Sequence, residues 1–247
     1  MTFREAYEYA LVECNKVKAP SILLEEYVYL FNKAIQQYIN SIYNRCEYDQ
    51  QSSDDLSWLQ VKTNIPVNVD PTIEINDTIW SIKLPDNYMH LLNCVAKFTK
   101  NGKSNCGHVP SIITPCKRLT SDLYPGIMNN YYMKPTHKNA YYHIINPNNS
   151  SNTNKASIYI NIHGGTTDWK LDNISISFIK SPQYYTMSYD DLMNETDSTQ
   201  ILEFPDYVCY EIINIFVRLL LENASDPRLQ THLPINQTIT SGLTQNV

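Results

Sequence analysis

The sequence has little glycine, and it lacks the glycine-rich loops that bind phosphates and nucleotides. Only 6 of its 247 residues are glycine. Tight backbone cradles around a phosphate depend on glycine, because a Cβ atom would keep the ligand away from the backbone. Gly102-Lys103-Ser104 is similar to the end of a phosphate-binding loop, but Lys97 occupies the position where that motif needs its first glycine. We therefore expect no nucleotide or cofactor site.

The sequence also lacks the common catalytic motifs. No G-x-G-x-x-G, H-E-x-x-H or EF-hand pattern occurs in it. His163-Gly164-Gly165 is similar to the oxyanion-hole segment of some esterases, but no G-x-S-x-G nucleophile motif accompanies it. A turn at the end of a strand explains this segment better. We expect that the protein is not an enzyme, since a hydrolase would need a cleft with perturbed titratable groups that nothing in the sequence predicts.

Cysteine pairs with metal-binding spacing are absent. The six cysteines include no C-x-x-C pair, and two of them lie on apolar helix faces, which favours free thiols. A zinc ion bound by Cys106, His108 and Cys116 is the alternative, but these spacings match no common structural zinc site. We therefore expect no metal.

Basic runs and long apolar runs are absent too. The net charge of -6 argues against a nucleic-acid-binding protein, because such a protein would normally carry a basic patch. The most apolar stretch, Ile212 to Leu221, is too short for a membrane span and is interrupted by Asn214 and Arg218. Glu5 and Glu8 fall where an export signal would need continuous apolar residues, so we expect synthesis in a cytoplasm and no membrane attachment.

The first 50 residues have the pattern of a helical hairpin. Thr2 and Glu5 have the spacing of a capping box, and apolar residues then recur at i, i+3, i+4 and i+7 as far as Val17. A second helix is predicted from a cap at Ser21 through Arg45. Residues 51–57, QSSDDLS, are interpreted as a linker.

Residues 51–182 are predicted to form a β-rich domain. Short apolar stretches alternate there with turns rich in proline, asparagine and glycine. The last two strands are expected to pair as a hairpin or meander. The predicted strands are Thr72 to Ile75, Trp80 to Leu84, Asn93 to Thr99, Tyr141 to Ile145, Ile158 to Ile162 and Ile174 to Lys180.

The helical pattern returns in residues 183–223, where Leu202 to Glu222 is predicted as one strongly apolar helix. Its only polar stripe is narrow and consists of Glu211, Asn214, Arg218 and Glu222. Such a helix is either central in its own fold or partly covered by neighbouring copies of the protein. Residues 224–247 are polar and are predicted to be an extended tail that orders on a partner.

Together these patterns predict an α+β fold. The N- and C-terminal helices are expected to form one bundle, made of residues 1–50 and 183–223, with the β-rich domain inserted between them. The extended tail would follow the bundle.

Several segments resemble the head-to-tail connector ring proteins of crAss-like phages and, more loosely, podovirus adaptor and tail tubular proteins. The resemblance covers the chain from about Leu84 onward. The segments that carry it are Leu84-Pro-Asp-Asn-Tyr88-Met-His-Leu-Leu, Lys117-Arg-Leu-Thr-Ser-Asp122, Asn130-Tyr-Tyr-Met-Lys-Pro135, Tyr141-Tyr142, and Glu203-Phe-Pro-Asp-Tyr207 through Asp226-Pro-Arg-Leu-Gln230.

This resemblance implies a virion structural protein that assembles in the host cytoplasm. Such a protein forms a dodecameric ring below the portal, contacts the portal and the adjoining connector or tail proteins, and lets DNA pass through its lumen without specific binding. The tail would reach into the portal or an adjoining ring. Contacts with neighbouring subunits or partners are expected at Arg218, Glu222, Arg228, Leu229, Leu233 and Ile235.

An alternative function is a tail-associated module that binds a glycan or a receptor. The 19 tyrosines provide the aromatic surfaces that such sites use, although tyrosine is equally common in strands and interfaces. A pocket on the β-rich domain where tyrosine, tryptophan and aspartate side chains converge would favour this alternative.

Overall fold

The computed structural model describes residues 1–14, 22–45, 49–67, 72–76, 78–101, 109–145, 158–193 and 200–223, with the backbone alone for 72–76 and 192–193. These residues form six α-helices and nine β-strands, so the fold is α+β as predicted. The helices are α1 (Phe3–Glu13), α2 (Leu24–Tyr43), α3 (Gln50–Leu56), α4 (Tyr124–Asn129), α5 (Tyr189–Met193) and α6 (Asp206–Asn223).

The chain divides into two compact units. Unit 1 consists of Met1–Leu59 and the chain from Pro182 onward, and unit 2 consists of Gln60–Ser181. Unit 1 contains every described helix except α4, while unit 2 contains α4 and all the described strands. Unit 1 is therefore built from both ends of the sequence, and unit 2 is a continuous segment.

Helix α1 begins with the predicted capping box. The backbone N–H of Glu5 donates to Thr2 Oγ1 at 3.1 Å, and the N–H of Thr2 donates to the Glu5 carboxylate at 2.7 Å. The predicted apolar face is buried along the helix. The expected continuation to Val17 and the expected cap at Ser21 lie outside the described residues.

Helix α6 begins at Asp206, four residues later than predicted. Pro205 has no N–H and restricts the residue before it to extended conformations, so the segment ahead of it does not continue the helix. That segment pairs with the start of the chain instead. The N–H of Phe3 donates to the Gln200 carbonyl at 2.8 Å, and the N–H of Leu202 donates to the Met1 carbonyl at 3.1 Å.

The apolar side chains of α6 are buried within a single chain. Its nearest helical neighbours are α1 and α2, and Phe216 packs on Tyr27 and Phe31 with ring centroids 5.2 and 6.0 Å apart. Nine of its side chains are at most 7% exposed: Val208, Cys209, Ile212, Ile213, Phe216, Val217, Leu219, Leu220 and Leu221. Of the two alternatives for this helix, the structure therefore supports a helix that is central in its own unit, because its own chain covers these nine side chains.

The expected linker at residues 51–57 is also wrong, because this segment forms α3. Asp49 caps the helix: its carboxylate accepts hydrogen bonds from the Gln51 N–H at 3.2 Å and from the Ser52 hydroxyl at 2.9 Å. Leu56, the last residue of α3, is buried. The sequence of this helix is also typical of a linker, because serine and aspartate are common both at helix caps and in turns.

Unit 2 contains two β-sheets. Its strands are β1 (Gln60–Pro66), β2 (Thr72–Asn76), β3 (Ile79–Lys83), β4 (Tyr88–Lys100), β5 (Ser111–Pro115), β6 (Lys117–Arg118), β7 (Tyr141–Ile145), β8 (Tyr159–His163) and β9 (Trp169–Lys180). The first sheet has the order β1-β9-β4-β5, and the second has the order β2-β3-β8-β7-β6. All the neighbouring pairs are antiparallel except β6 and β7.

The two sheets share one hydrophobic core. Alternate residues of each strand point to one face of its sheet, and these inward faces meet as in a β-sandwich. Trp80 of the second sheet contacts Phe98 of the first, with ring centroids 6.5 Å apart. The core also contains Ile82, Ile160 and Ile162 from the second sheet, and Cys94, Ala96, Leu171, Ile174, Ile176 and Phe178 from the first.

All six predicted strands are present, but the expected pairing of the last two is wrong. β8 pairs with β3 and β7, whereas β9 belongs to the other sheet and pairs with β1 and β4. Alternation in a sequence shows that one face of a strand is buried, but it does not identify the neighbour. Strands β1, β5 and β6 were not predicted. No helix among the described residues is both long and apolar enough to cross a membrane.

Candidate functional site

The outward face of the second sheet of unit 2 carries two buried polar side chains, Asn161 and His163, and one half-buried one, His143. His143 lies on β7, and Asn161 and His163 lie on β8. His143 is directly opposite Asn161 in the antiparallel register, and His163 is opposite Tyr141. Because side chains alternate along a strand, these polar residues face away from the core that Ile160 and Ile162 enter.

A short segment covers this outward face. Leu119, Ile127 and Tyr141 form a small hydrophobic cluster that fastens α4 to the sheet. The N–H of Leu119 donates to the Tyr142 carbonyl at 2.7 Å, and the N–H of Tyr124 donates to the Thr120 carbonyl at 3.1 Å. The cover explains why polar residues on the outer side of the sandwich are buried.

A cavity of about 410 Å³ lies between the sheet and this cover. Its apolar lining comes from Ile79 and Leu119, and its hydroxyl groups come from Thr120, Ser121 and Tyr124. His143, Asn161 and His163 complete the lining. None of these side chains is acidic, and none is lysine or arginine.

The two histidines form a hydrogen-bonded pair. His163 Nε2 and His143 Nδ1 are 2.9 Å apart. The ring centroids are 4.9 Å apart and the interplanar angle is 25°, so the two rings are stacked and nearly parallel. That arrangement is suited to one shared proton, with one nitrogen donating and the other accepting.

Burial keeps this pair neutral near pH 7. It lowers the pKa of His163 to about 4, with a smaller contribution from the neighbouring His143. Burial also lowers the pKa of His143. The pocket is therefore uncharged at neutral pH, because no other lining side chain carries a charge.

Two polar atoms at this site have no hydrogen-bond partner among the described residues. They are Nδ1 of His163 and Oδ1 of Asn161, both of which are inaccessible to solvent. His163 and Asn161 are 2% and 6% exposed as whole residues. A buried polar atom without a partner costs about 1–3 kcal/mol, so a hydrogen bond from a bound molecule to either atom would be favourable.

Tyr124 forms an aromatic wall beside the pair. Its ring meets those of His143 and His163 edge-on, with centroids 6.1 and 5.7 Å apart. Tyr124 is itself partly exposed. One side of the pocket is therefore aromatic and accessible, while the floor is polar and buried.

The polar groups that line this site can form hydrogen bonds. Among the described residues, no three side chains of histidine, cysteine, aspartate or glutamate are grouped as metal ligands. Cys116 is a free thiol, and Cys106 and His108 lie outside the described residues, so the structure does not describe the alternative zinc site.

The contact residues expected from the sequence lie elsewhere. Arg218 is half-buried and Glu222 is exposed, one turn apart near the C-terminal end of α6 in unit 1. Arg228, Leu229, Leu233 and Ile235 lie outside the described residues. The described part of the chain therefore places only the first two, and both are on the polar stripe of the helix.

The sequence contained one signal for the pocket, which was His163-Gly164-Gly165. β8 ends at His163, so this segment does lie at a strand end. A Cβ atom on Gly164 would come within 2.9 Å of the Phe98 ring, which shows why glycine is needed there. No comparable signal marked His143, whose role depends on the register of β7 against β8.

No protein-family model matches the chain, and no curated protein matches it.

Proposed function

We propose that the protein is a virion structural protein, a subunit of a head-to-tail connector ring. The observation that carries the proposal in the structure is a pair of exposed tyrosines in ring contact on unit 1, Tyr9 of α1 and Tyr210 of α6, with Val12 and Tyr207 exposed one turn away on the same two helices. These four side chains are between 45% and 60% exposed. Tyrosine is enriched at protein interfaces because its ring is apolar and its hydroxyl is polar. We call these four residues the tyrosine patch.

Two rings of the tyrosine patch are in contact with each other. The rings of Tyr9 and Tyr210 meet edge-on with centroids 5.7 Å apart. The hydrogen bond between these tyrosines raises the pKa of Tyr210. Because the rings already hold each other in place, a neighbour would bury them with little further loss of side-chain freedom.

A closed ring needs a second surface on each subunit, since head-to-tail contacts join two different patches. Leu23 and Tyr29, at the beginning of α2 in the same unit, are 64% and 62% exposed. They are candidates for this second surface. We take the helices of unit 1 as the bundle of the ring, with Arg218 and Glu222 at its contacts. The net charge of -6 would favour passage of DNA without adhesion.

The proposal also relies on the resemblance of the sequence to connector ring proteins of crAss-like phages. A dodecamer below the portal, contacts with the portal and adjoining tail proteins, and location in the virion all belong to this proposal.

Mass photometry and negative-stain microscopy on the protein, alone and mixed with its portal, would test ring formation. We expect a ring of twelve times 28.6 kDa. Tyr210→Glu, which places a charge in the tyrosine patch, should abolish the ring. Tyr184→Glu is the control, because Tyr184 is an exposed tyrosine of the same unit outside the patch. Protein that stays monomeric with the portal and is absent from purified particles would contradict the proposal.

The expected role of the tail needs a separate test. Deleting Ser225–Val247 should leave a folded protein that fails to dock on the portal, which circular dichroism and portal pull-down would show. Incorporation of the truncated protein into particles at the normal level would refute docking by the tail without affecting the ring.

A second candidate function is a tail-associated module that binds a glycan or receptor. The pocket of unit 2 favours it, since Tyr124, the histidine pair and Asn161 converge there. The tryptophan and aspartate expected for such a site are not part of the lining. The connector ring remains the first candidate for this reason.

A further inference from the structure

We propose that the pocket of unit 2 binds a neutral, polyhydroxylated ligand, the hexose unit of a glycan. This inference rests on the second candidate function and names its site and ligand chemistry. It does not depend on ring assembly, because every residue involved belongs to unit 2.

The size of the cavity limits the ligand. At about 410 Å³ it lies near the lower end of the range of 300–1,000 Å³ that is typical of small-molecule sites. One or two sugar rings fall within this volume. The mixed lining, with aliphatic residues, an aromatic wall and a few polar groups, is also typical of such sites.

The absence of charged side chains from the cavity lining restricts the ligand further. No acidic side chain, lysine or arginine lines the cavity. A buried phosphate, carboxylate or ammonium group would therefore lose its hydration without gaining a counter-charge. The lining thus selects against charged ligands and leaves neutral ones.

The two unpartnered atoms favour a ligand that carries hydroxyl groups. Oδ1 of Asn161 accepts hydrogen bonds, and Nδ1 of His163 accepts or donates according to the tautomer that the His143 hydrogen bond fixes. A hydroxyl donates one hydrogen bond and also accepts, so it satisfies either state. Asn161 and His163 are two residues apart on β8, face the same side and both line the cavity, so side-chain movements that uncover these shielded atoms would let adjacent hydroxyls of one sugar ring satisfy both.

Tyr124 supplies the remaining contact. Its ring lies beside the histidine pair and is partly exposed. A pyranose ring has an apolar face made of C–H groups, which packs on an aromatic side chain while its hydroxyls reach polar partners. The pocket therefore offers both kinds of contact that a hexose makes.

Ligand-observed NMR and calorimetry on the full chain would test this site. The neutral probes are D-glucose, D-galactose and N-acetylglucosamine, and the charged probes are glucuronic acid and N-acetylneuraminic acid. We expect at least one neutral probe to bind with a Kd of about 1 mM. The charged probes should bind at least about tenfold more weakly. Absence of binding by every neutral probe, or tighter binding by a charged one, would overturn the proposal.

Two tryptophan variants locate the binding. Ser121 is exposed and lines the cavity, so Ser121→Trp should block it and abolish binding. Leu123→Trp is the matched control, because Leu123 is exposed two residues away and does not line the cavity. Binding that survives Ser121→Trp, or that is lost equally in both variants, would place the ligand elsewhere and overturn the assignment.

Asn161→Leu separates a ligand-binding role from a structural one. Removal of an unpartnered buried oxygen should abolish binding without lowering the unfolding midpoint. A lower midpoint would show that Asn161 supports the fold, and would count against the proposal. Ring assembly measured on the same variant should be unchanged, so failure of this inference and failure of the connector proposal are distinguishable.

Discussion

The two units of this protein stabilise their interiors in different ways. In unit 1 the helices meet through aromatic rings: Phe3 contacts Tyr27, Phe31 and Tyr185, with centroids 5.0, 5.2 and 5.6 Å apart. In unit 2 the facing sheets meet mainly through isoleucine and leucine, with Trp80 and Phe98 as the ring contact between them.

The two units also bury different titratable groups. Unit 1 contains Glu211, whose pKa is raised by partial burial and by the charge of Asp55, whereas unit 2 contains the histidine pair. Acid protonates both kinds of group, but protonation removes a charge from a carboxylate and adds one to an imidazole. The two units should therefore respond to acidification in opposite directions, although they belong to one chain.

Separate probes make this comparison measurable. Trp80 and Trp169 lie in unit 2, and the exposed Trp58 lies in unit 1. In a Trp58→Phe background, tryptophan fluorescence reports unit 2, and circular dichroism at helical wavelengths reports mainly unit 1. All the variants below are compared in that background.

The largest expected effect comes from Phe216→Ala in unit 1. The Phe216 ring is fully buried against Tyr27 and Phe31, so its removal leaves a cavity and should lower the free energy of unfolding by about 3–5 kcal/mol. Urea unfolding followed by circular dichroism would measure this loss. Tyr210→Ala on the same helix is the control and should change stability by less than about 0.5 kcal/mol. An equal shift of the fluorescence transition would show that the units unfold together.

A smaller effect is expected from Gly164→Ala in unit 2. The added Cβ would lie 2.9 Å from the Phe98 ring, 3.1 Å from the Ala140 Cβ and 3.2 Å from the Thr136 carbonyl oxygen. We expect a loss of about 1–3 kcal/mol in the fluorescence transition, because a close-packed site has to move. Gly126→Ala is the matched control, since nothing lies within 4 Å of its Cβ position. Equal stability of the two variants would contradict the tight packing at Gly164.

The pH dependence of unit 2 should be next in size. The pKa of His163 is about 4 in the folded protein and 6.5 when unperturbed, so between these values the unfolded chain binds more protons. Stability is therefore fully present above pH 6.5 and is lost as the pH falls toward 4. The slope is at most about 1.4 kcal/mol per pH unit before solvent screening reduces it. In His163→Gln, the unfolding midpoint detected by fluorescence should change less with pH between pH 7 and 4.5. An unchanged dependence of the midpoint on pH would exclude His163 as its source.

The smallest effect should come from Glu211→Gln in unit 1. Partial burial raises the pKa of Glu211 above 4.5, as does the charge of Asp55, while Tyr38 and Arg45 oppose the shift. The folded unit then binds more protons than the unfolded chain just above pH 4.5, so acidification stabilises it in that window. Removing the carboxylate should raise the stability at pH 7 by a few tenths of a kcal/mol and remove this gain. A clear loss of stability at pH 7 would show that the charged form is favourable.

Local patterns in the sequence predicted much of the fold. The capping box at Thr2 and Glu5 fixes the start of α1 through contacts only three residues apart, and alternation identified strands such as β8 and β9. Strand β1 escaped prediction because it alternates between exposed and half-buried side chains and contains no fully buried one. The α3 helix escaped because its capping residues also favour turns.

The pocket could not be predicted, because no local pattern encodes it. His143 and His163 are 20 residues apart, and they meet only because β7 and β8 pair in one particular register. A shift of that register by one residue would turn either side chain into the core. Tyr124 reaches them through the cover segment, which is attached by the Leu119, Ile127 and Tyr141 contacts. These relationships exist only after the sheet has formed.

The discontinuous construction of unit 1 has a consequence for synthesis on the ribosome. Helices α1 and α2 emerge first, but α6, against which both pack, is translated only after the whole of Gln60–Ser181. Until α6 follows, the apolar sides of the nascent α1 and α2 lack their native cover, while all the described strands of unit 2 have already been translated. Folding during translation therefore favours unit 2 first, and the early helices depend on a late segment or on chaperones to stay out of aggregates.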